Sequence, residues 1–342
     1  SGIRAIPTGI EHGTVTAVID TQHFEITTLR HDVETFGRHA RVAFTEDWAE
    51  DAARRDFTIN ALFADADGAI YDPAGGLADL RAGRVRFVGE PAQRIAEDGL
   101  RLLRFFRFQA FYVQDQPDPA ALAACAAAAP MLARLSGERL AGELLRLLQA
   151  PAAVSVLQLM AAHDVLAYLL PEAQGFDRLG RLCDIEASLG HCDSLRRLAA
   201  LLPADAKAAA AVSDRLRLSN VERERLLAMV KPRFAVAPAS APPAIHRALY
   251  HLGPERFVDL VLLGWSGEPE GDAGGWRALL QQAADWRKPS FPLRGADVLA
   301  LGLDPGPAVG DLLEAVQSWW EAGDFRADRD AALAKLRELA AR

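Results

Sequence analysis

The hydrophobic period of this chain changes once. Residues 3–29 hold short runs of Ile, Val and Thr that alternate in and out, while from residue 91 apolar residues recur at helical spacing almost without interruption. That order predicts an α+β molecule with a small, mostly antiparallel sheet first and helices after it. Residues 3–7 and 13–19 read as strands, Phe24–Leu29 as a third, with Asp20-Thr21-Gln22 turning between the last two. Residues 31–53 are polar, include Gly37 and show little periodicity before Trp48. Asp67-Gly68 is a hairpin signal between Ala61-Leu62-Phe63 and Ile70-Tyr71, which makes the literal Asp65-x-Asp67 a turn, not a metal site.

Two stretches carry chemistry. In Arg54-Arg55-Asp56-Phe57-Thr58-Ile59-Asn60-Ala61, two guanidinium forks stand beside one carboxylate, with Asn60 four residues after Asp56. Arg grips phosphate oxygens in two-pronged fashion, and Asp accepts from a ribose hydroxyl. The competing reading is a surface charge cluster ahead of a buried element. In residues 94–108 the charges fall at 94, 97, 98, 101, 104 and 107 and apolar residues at 95, 102, 103 and 106. This is one amphipathic helix by pattern, with Asp98 and Arg101 neighbours on one face. A salt-bridged solvent face would look similar, but this stripe uses four Arg, no Lys, and runs beside several Phe.

The net charge of −8 opposes a general nucleic-acid binder, so any RNA surface must be a local patch. Only four of the 38 basic residues are Lys. Cys125, Cys183 and Cys192 lack CxxC spacing, and free thiols in a reducing cytoplasm are the simplest account. No apolar run approaches the roughly eighteen residues of a membrane span. His163, His191, His246 and His251 are scattered and read as core or surface residues. Pro232–Pro243 is the best linker candidate, and Gly267–Gly275 a second flexible stretch.

RRDFTINA (54–61), DPAGGLADL (72–80) and RIAEDGLRLLRFFRF (94–108), with PTGIEHGTVTAV (7–18) and HFEITTLR (23–30), resemble the class II tRNA nucleotidyltransferases, the CCA-adding enzymes, and the related bacterial poly(A) polymerases. Residues 31–53 are similar to the flexible loop of that family. The resemblance spans at least residues 3–110, and FPLRGADVLALGLDPGP (291–307) is a weaker echo later on. It implies a nucleotidyltransferase head over 1–72, a helical neck that selects the base over 73–148, a helical body over 149–235 and a tRNA-binding tail over 236–342. It implies addition of C, C and A to the 3′ end of tRNA from CTP and ATP, with Mg²⁺, in a cytoplasmic monomer or homodimer. By the same resemblance Arg54, Arg55, Asp56 and Asn60 bind the nucleotide. Asp98 and Arg101 read the base edge, Glu97 orients Arg101, and Arg104 and Arg107 meet phosphates or base.

Glu25 corresponds to a carboxylate beside the metal-binding pair. That Asp-x-Asp pair and its Gly-Gly-x-x-Arg-Asp companion do not occur in residues 1–53, so no metal ligand is assigned in this chain. The pair is expected upstream, and the 342 residues alone are expected not to transfer nucleotides. Other outcomes of the same resemblance are a poly(A) polymerase, an enzyme adding only A or only CC, and a non-catalytic tRNA-binding fragment. The long 31–53 segment speaks against CC-only addition, and no long basic tail supports the polymerase.

Overall fold

The structure, a computed structural model, describes residues 3–10, 13–36, 39–112, 116–268 and 272–341, with backbone alone over 32–36 and 39–42. Gly37 lies outside the described residues. The first sheet is the antiparallel meander β1 (Arg4–Gly9), β2 (Thr14–Ile19) and β3 (Gln22–Thr27). Ile19 pairs with Gln22, so the turn is the two residues Asp20 and Thr21, and Gln22 already belongs to β3. Asp20 takes a φ of 54°, a left-handed position that Asp tolerates.

The expected loop over 31–53 is instead a hairpin and a helix. Strands β4 (Arg30–Phe36) and β5 (His39–Phe44) pair antiparallel from Arg30↔Phe44 to Phe36↔His39, and α1 (Trp48–Ala53) follows, capped by Asp47 accepting from the Ala49 amide. Backbone groups that any residue carries make a two-stranded ladder, so a largely polar hairpin shows no period-two signal. The Asp-Gly turn is as expected. Strands β6 (Phe63–Ala64) and β7 (Ile70–Tyr71) pair across it, Gly68 has φ 85°, and the Asp65 carboxylate accepts from the Asp67 and Ala69 amides.

Helix α2 (Gly76–Arg81) packs against the single 3₁₀ turn of Thr58–Asn60. The approach is so close that a Cβ on Gly76 would lie 2.0 Å from the Thr58 carbonyl oxygen. Next come α3 (Pro91–Glu97), α4 (Leu100–Tyr112), α5 (Pro119–Ala128), α6 (Gly137–Gln149), α7 (Ala153–Ala162) and α8 (Leu166–Leu169). The amphipathic stretch 94–108 is therefore two helices, not one. Gly99 is a poor helix former, and the Asp98 carboxylate accepts the Leu100 amide at 3.1 Å, a local turn that competes with helix continuation. Asp98 itself is extended, with φ −149° and ψ 106°.

The remainder is helical: α9 (Phe176–Ser188), α10 (Ser194–Leu201), α11 (Ala206–Leu216), α12 (Asn220–Val230), α13 (Pro242–Gly267), α14 (Ala273–Asp285), α15 (Gly295–Leu299), α16 (Pro307–Ala322) and α17 (Arg329–Ala340). Among the described residues the chain divides into two compact units. The first comprises 1–176, 193–203 and 207–223, the second 177–192, 204–206 and 224–342.

An aromatic cluster anchors the first unit. Phe57 is fully buried and meets the rings of Phe87 at 4.8 Å and Phe108 at 5.2 Å. The main chain of 56–58 is stitched to 86–88 by the Thr58 amide to the Arg86 carbonyl and the Val88 amide to the Asp56 carbonyl. The apolar run inside RRDFTINA is thus a core plug that fixes the flanking charges. Fully burying one such ring contributes about 1.5–3 kcal/mol. In the second unit Trp276, Phe257 and Val261 centre one core, and Val298, Val316 and Leu336 a second. Of the linker candidate Pro232–Pro243, residues 232–241 are irregular and lie inside the second unit, with Phe234 and Val236 packed on the first of these cores, while Pro242 and Pro243 open α13.

Candidate active site

Asp51, on the last turn of α1, organises the two arginines that follow. It is 1% exposed. Its Oδ1 accepts from Arg54 Nε at 2.8 Å and its Oδ2 from Arg55 Nε and Nη2 at 3.0 and 2.9 Å. The Arg30 amide approaches Oδ1 at 3.3 Å. Burial alone raises the Asp51 pKa, but the hydrogen bonds from Arg54 and Arg55, the Arg54 charge and the Arg30 amide outweigh it and hold the group below its ordinary value. Arg55 spends a third nitrogen, Nη1, on the Asn60 carbonyl at 3.0 Å and stands over the Phe63 ring at 4.9 Å. Arg54 retains Nη1 without a hydrogen bond among the described residues.

The carboxylate that both forks grip is therefore Asp51, not Asp56. Asp56 is also buried, and its Oδ1 accepts from Asn60 Nδ2 at 2.9 Å, which accounts for the Asn four residues on. Its Oδ2 accepts from Arg104 Nε at 2.5 Å.

Helices α3 and α4 close onto this segment through its main chain. Arg94, on α3, donates to the carbonyls of Arg54 and of Arg55, the latter at 2.8 Å, and pairs with Glu97. Arg101, on α4, donates from Nη2 to the Arg54 carbonyl at 3.2 Å and from Nη1 to Glu97 at 2.5 Å. The Asp98 carboxylate does not meet Arg101, because the helix breaks between them. Its Oδ2 takes Arg139 Nη2, from α6, at 2.7 Å. Arg107 and Arg104 are not poised side by side for a ligand either. Arg107 Nε binds the buried Glu143 at 2.6 Å and lies 4.2 Å over the Phe108 ring, while Arg104 Nη1 is 3.8 Å from Glu143.

Every candidate binding residue from 54 to 107 thus falls in one lattice, with Asp51, Arg94, Arg139 and Glu143 added. Sequence reading placed Arg94 on the charged stripe without a role and passed over the other three. Asp51 stands three and four residues ahead of Arg54 and Arg55, a helical spacing that could have flagged it. Glu143 and Arg139 carry no signal without the packing of α6 on α4. Glu25 lies outside the lattice, exposed on β3 opposite Thr16, with no ion pair among the described residues.

Eight arginines (54, 55, 94, 101, 104, 107, 139 and, at 3.7 Å from Glu143, 146) share five carboxylates (51, 56, 97, 98, 143). The excess of three positive charges, beside partly buried acceptors, suits a polyphosphate attached to a polar group. Among the described residues no group of three His, Cys, Asp or Glu side chains could hold a metal ion.

Comparison with known proteins assigns the chain to a family. Residues 2–86 match the poly A polymerase head domain, and residues 116–176 the probable RNA and SrmB-binding site of polymerase A. The human protein named CCA tRNA nucleotidyltransferase 1, mitochondrial, is 35% identical over 99% of this chain and 78% of its own length. The chain belongs to the class II CCA-adding family of tRNA nucleotidyltransferases. A second member of the CCA-adding family, the CCA-adding enzyme of Limosilactobacillus fermentum, is 30% identical over 98% of this chain and 84% of its own length. The CCA-adding enzyme of Bacillus stearothermophilus, solved in complex with CTP, superposes with a TM-score of 0.78 at 27% identity, covering 98% of this chain and 84% of that one. The antiparallel head and helical remainder are those of a CCA-adding enzyme.

Proposed function

We propose that this chain adds C, C and A to the 3′ end of tRNA from CTP and ATP. One observation carries this reading beyond family membership. Arg94 and Arg101 both bond the main-chain carbonyl of Arg54, which joins the phosphate-type arginines to the base-edge pair in one cationic site. In the reaction the tRNA 3′-hydroxyl oxygen attacks the α-phosphorus, the new phosphodiester forms, and the bond to pyrophosphate breaks.

Arg54 offers Nη1 to a phosphate oxygen, with Arg55 held behind it by Asp51. Asp56 accepts from the ribose 2′-hydroxyl while keeping Arg104 and Asn60. The ionised Asp98 accepts from the exocyclic amine of C or A, and Arg101, oriented by Glu97, donates to a ring acceptor. Arg104 and Arg107 supply the positive surround. Glu25 is retained as a candidate catalytic carboxylate on a rigid strand.

Mg²⁺ is the proposed cofactor, neutralising triphosphate charge when bound. The described residues do not assemble a site for it, so no step here runs through the ion. The segments 1–72, 73–148, 149–235 and 236–342 serve as head, neck, body and tail in this reading. The buried Cys125 is a free thiol, which supports a reducing cytoplasm. Among the described residues no helix is long and apolar enough to cross a membrane.

The product decides the reading. A tRNA ending before CCA should gain two nucleotides with CTP alone and three with CTP plus ATP. A long ladder from ATP alone would favour poly(A) addition, which the head-domain match keeps in view. The 342 residues alone are the arm expected to stay silent; in an enzyme that supplies the Asp-x-Asp pair together with this chain, no extension with either nucleotide would overturn both.

A further inference from the structure

We propose that a cavity between α12 and α13 anchors a backbone phosphate of the RNA substrate through Lys231, Arg233 and Arg256. The cavity measures about 120 Å³ and lies wholly within the second unit. A water needs only about 10–15 Å³ of such space, so a phosphate group fits. Its floor is apolar, built by Met229, Leu252 and Leu260. Four cations and one carboxylate line it, and that carboxylate, Asp259, is 1% exposed and held by Arg225 in a two-pronged pair at 2.7 and 2.8 Å. Arg225 and Asp259 neutralise each other, which leaves three positive charges on the rim.

These three differ from Arg225, which lines the same cavity but is ion-paired. Arginines elsewhere are commonly ion-paired, as in the lattice of the first unit and in Arg329 with Asp297. Lys231, Arg233 and Arg256 are exposed and have no ion-pair partner among the described residues; Arg233 lies only over the Phe234 ring, at 5.5 Å. In a chain of net charge −8, three uncompensated cations around one cavity mark an anion site. The backbone shapes it. Gly253, with φ 75° and ψ 167°, and Pro254 kink α13, so the cavity takes Leu252 from before the bend and Arg256, Asp259 and Leu260 from after it. Lys and Arg carry donors and no acceptors, so the rim matches a group rich in oxygens.

The assignment to RNA rests on the tRNA reading above. The test is the affinity of labelled tRNA, without nucleotides, for the wild-type chain and for the K231A/R233A/R256A variant, measured by fluorescence anisotropy from 50 to 300 mM KCl. The variant should bind on the order of ten-fold more weakly at low salt, with a salt slope shallower by about two to three. Its melting temperature should not fall, because no partner loses a bond. Single variants Lys231→Gln and Arg256→Gln, each expected to flatten the slope by about one, serve if the triple variant is unstable. Wild type that binds no tRNA would overturn the tRNA reading. Equal affinity and slope for wild type and variant would overturn the cavity assignment alone. Inorganic phosphate bound by wild type and not by the variant, with tRNA affinity unchanged, would give the cavity to a free anion and overturn the RNA assignment.

Discussion

Asp51 lies outside the RRDFTINA run yet fixes both of its arginines. Replacing it by Asn removes a buried charge from between two guanidinium groups, and breaking a buried pair this way costs about 3–5 kcal/mol. Urea denaturation of Asp51→Asn should show that loss, while an unchanged midpoint would mean the arginines are held elsewhere. The pH dependence follows from the depressed pKa. The folded group titrates below its ordinary value of 3.8, so its contribution is complete above that pH and disappears as pH falls through the folded value. Wild type should therefore lose more stability than Asp51→Asn on acidification below about pH 4.

Asp56 is proposed to act separately, at the sugar. In the active enzyme Asp56→Ala should raise dNTP use relative to NTP use, with an unchanged ratio ruling the role out. The sequence makes Arg54, Arg55, Asp56 and Asn60 visible because their types and spacing are unusual. It does not show which carboxylate each guanidinium chooses, since that depends on α1 turning Asp51 back over them.

At the scale of elements, the sheet, the Asp67-Gly68 hairpin and the helical remainder were legible from period and turn chemistry. Two features were not. The β4–β5 hairpin is made by main-chain bonds under a polar sequence. The break at Asp98-Gly99 sits inside a pattern that keeps helical spacing on both sides, so periodicity alone reads straight through it. The break matters because it points Asp98 toward Arg139 rather than along the face of Arg101.

Element packing is testable at Gly76. A methyl group there would meet the Thr58 carbonyl at 2.0 Å. Gly76→Ala should destabilise by about 1–3 kcal/mol, as overpacking does, and should lower nucleotide affinity because the 3₁₀ turn carries Asn60. Wild-type stability in this variant would show that α2 can move away freely.

The whole molecule is acidic, yet its eight-arginine lattice carries an excess of three positive charges in the first unit and its cavity rim three more in the second. Charge is placed locally where polyphosphate and RNA backbone are proposed to bind, and the bulk of the surface stays anionic. The central claim is that protein side chains in the first lattice select the base. Asp98→Asn tests it most directly, since the amide oxygen can still accept the Leu100 amide while the ionised acceptor is lost. On tRNA ending before CCA, the ratio of kcat/KM for CTP over UTP should fall by about 5–150-fold, the equivalent of 1–3 kcal/mol for one base-edge pair, with the melting temperature little changed. An unchanged ratio with a lowered melting temperature would contradict the account and make the Asp98–Arg139 pair a structural salt bridge.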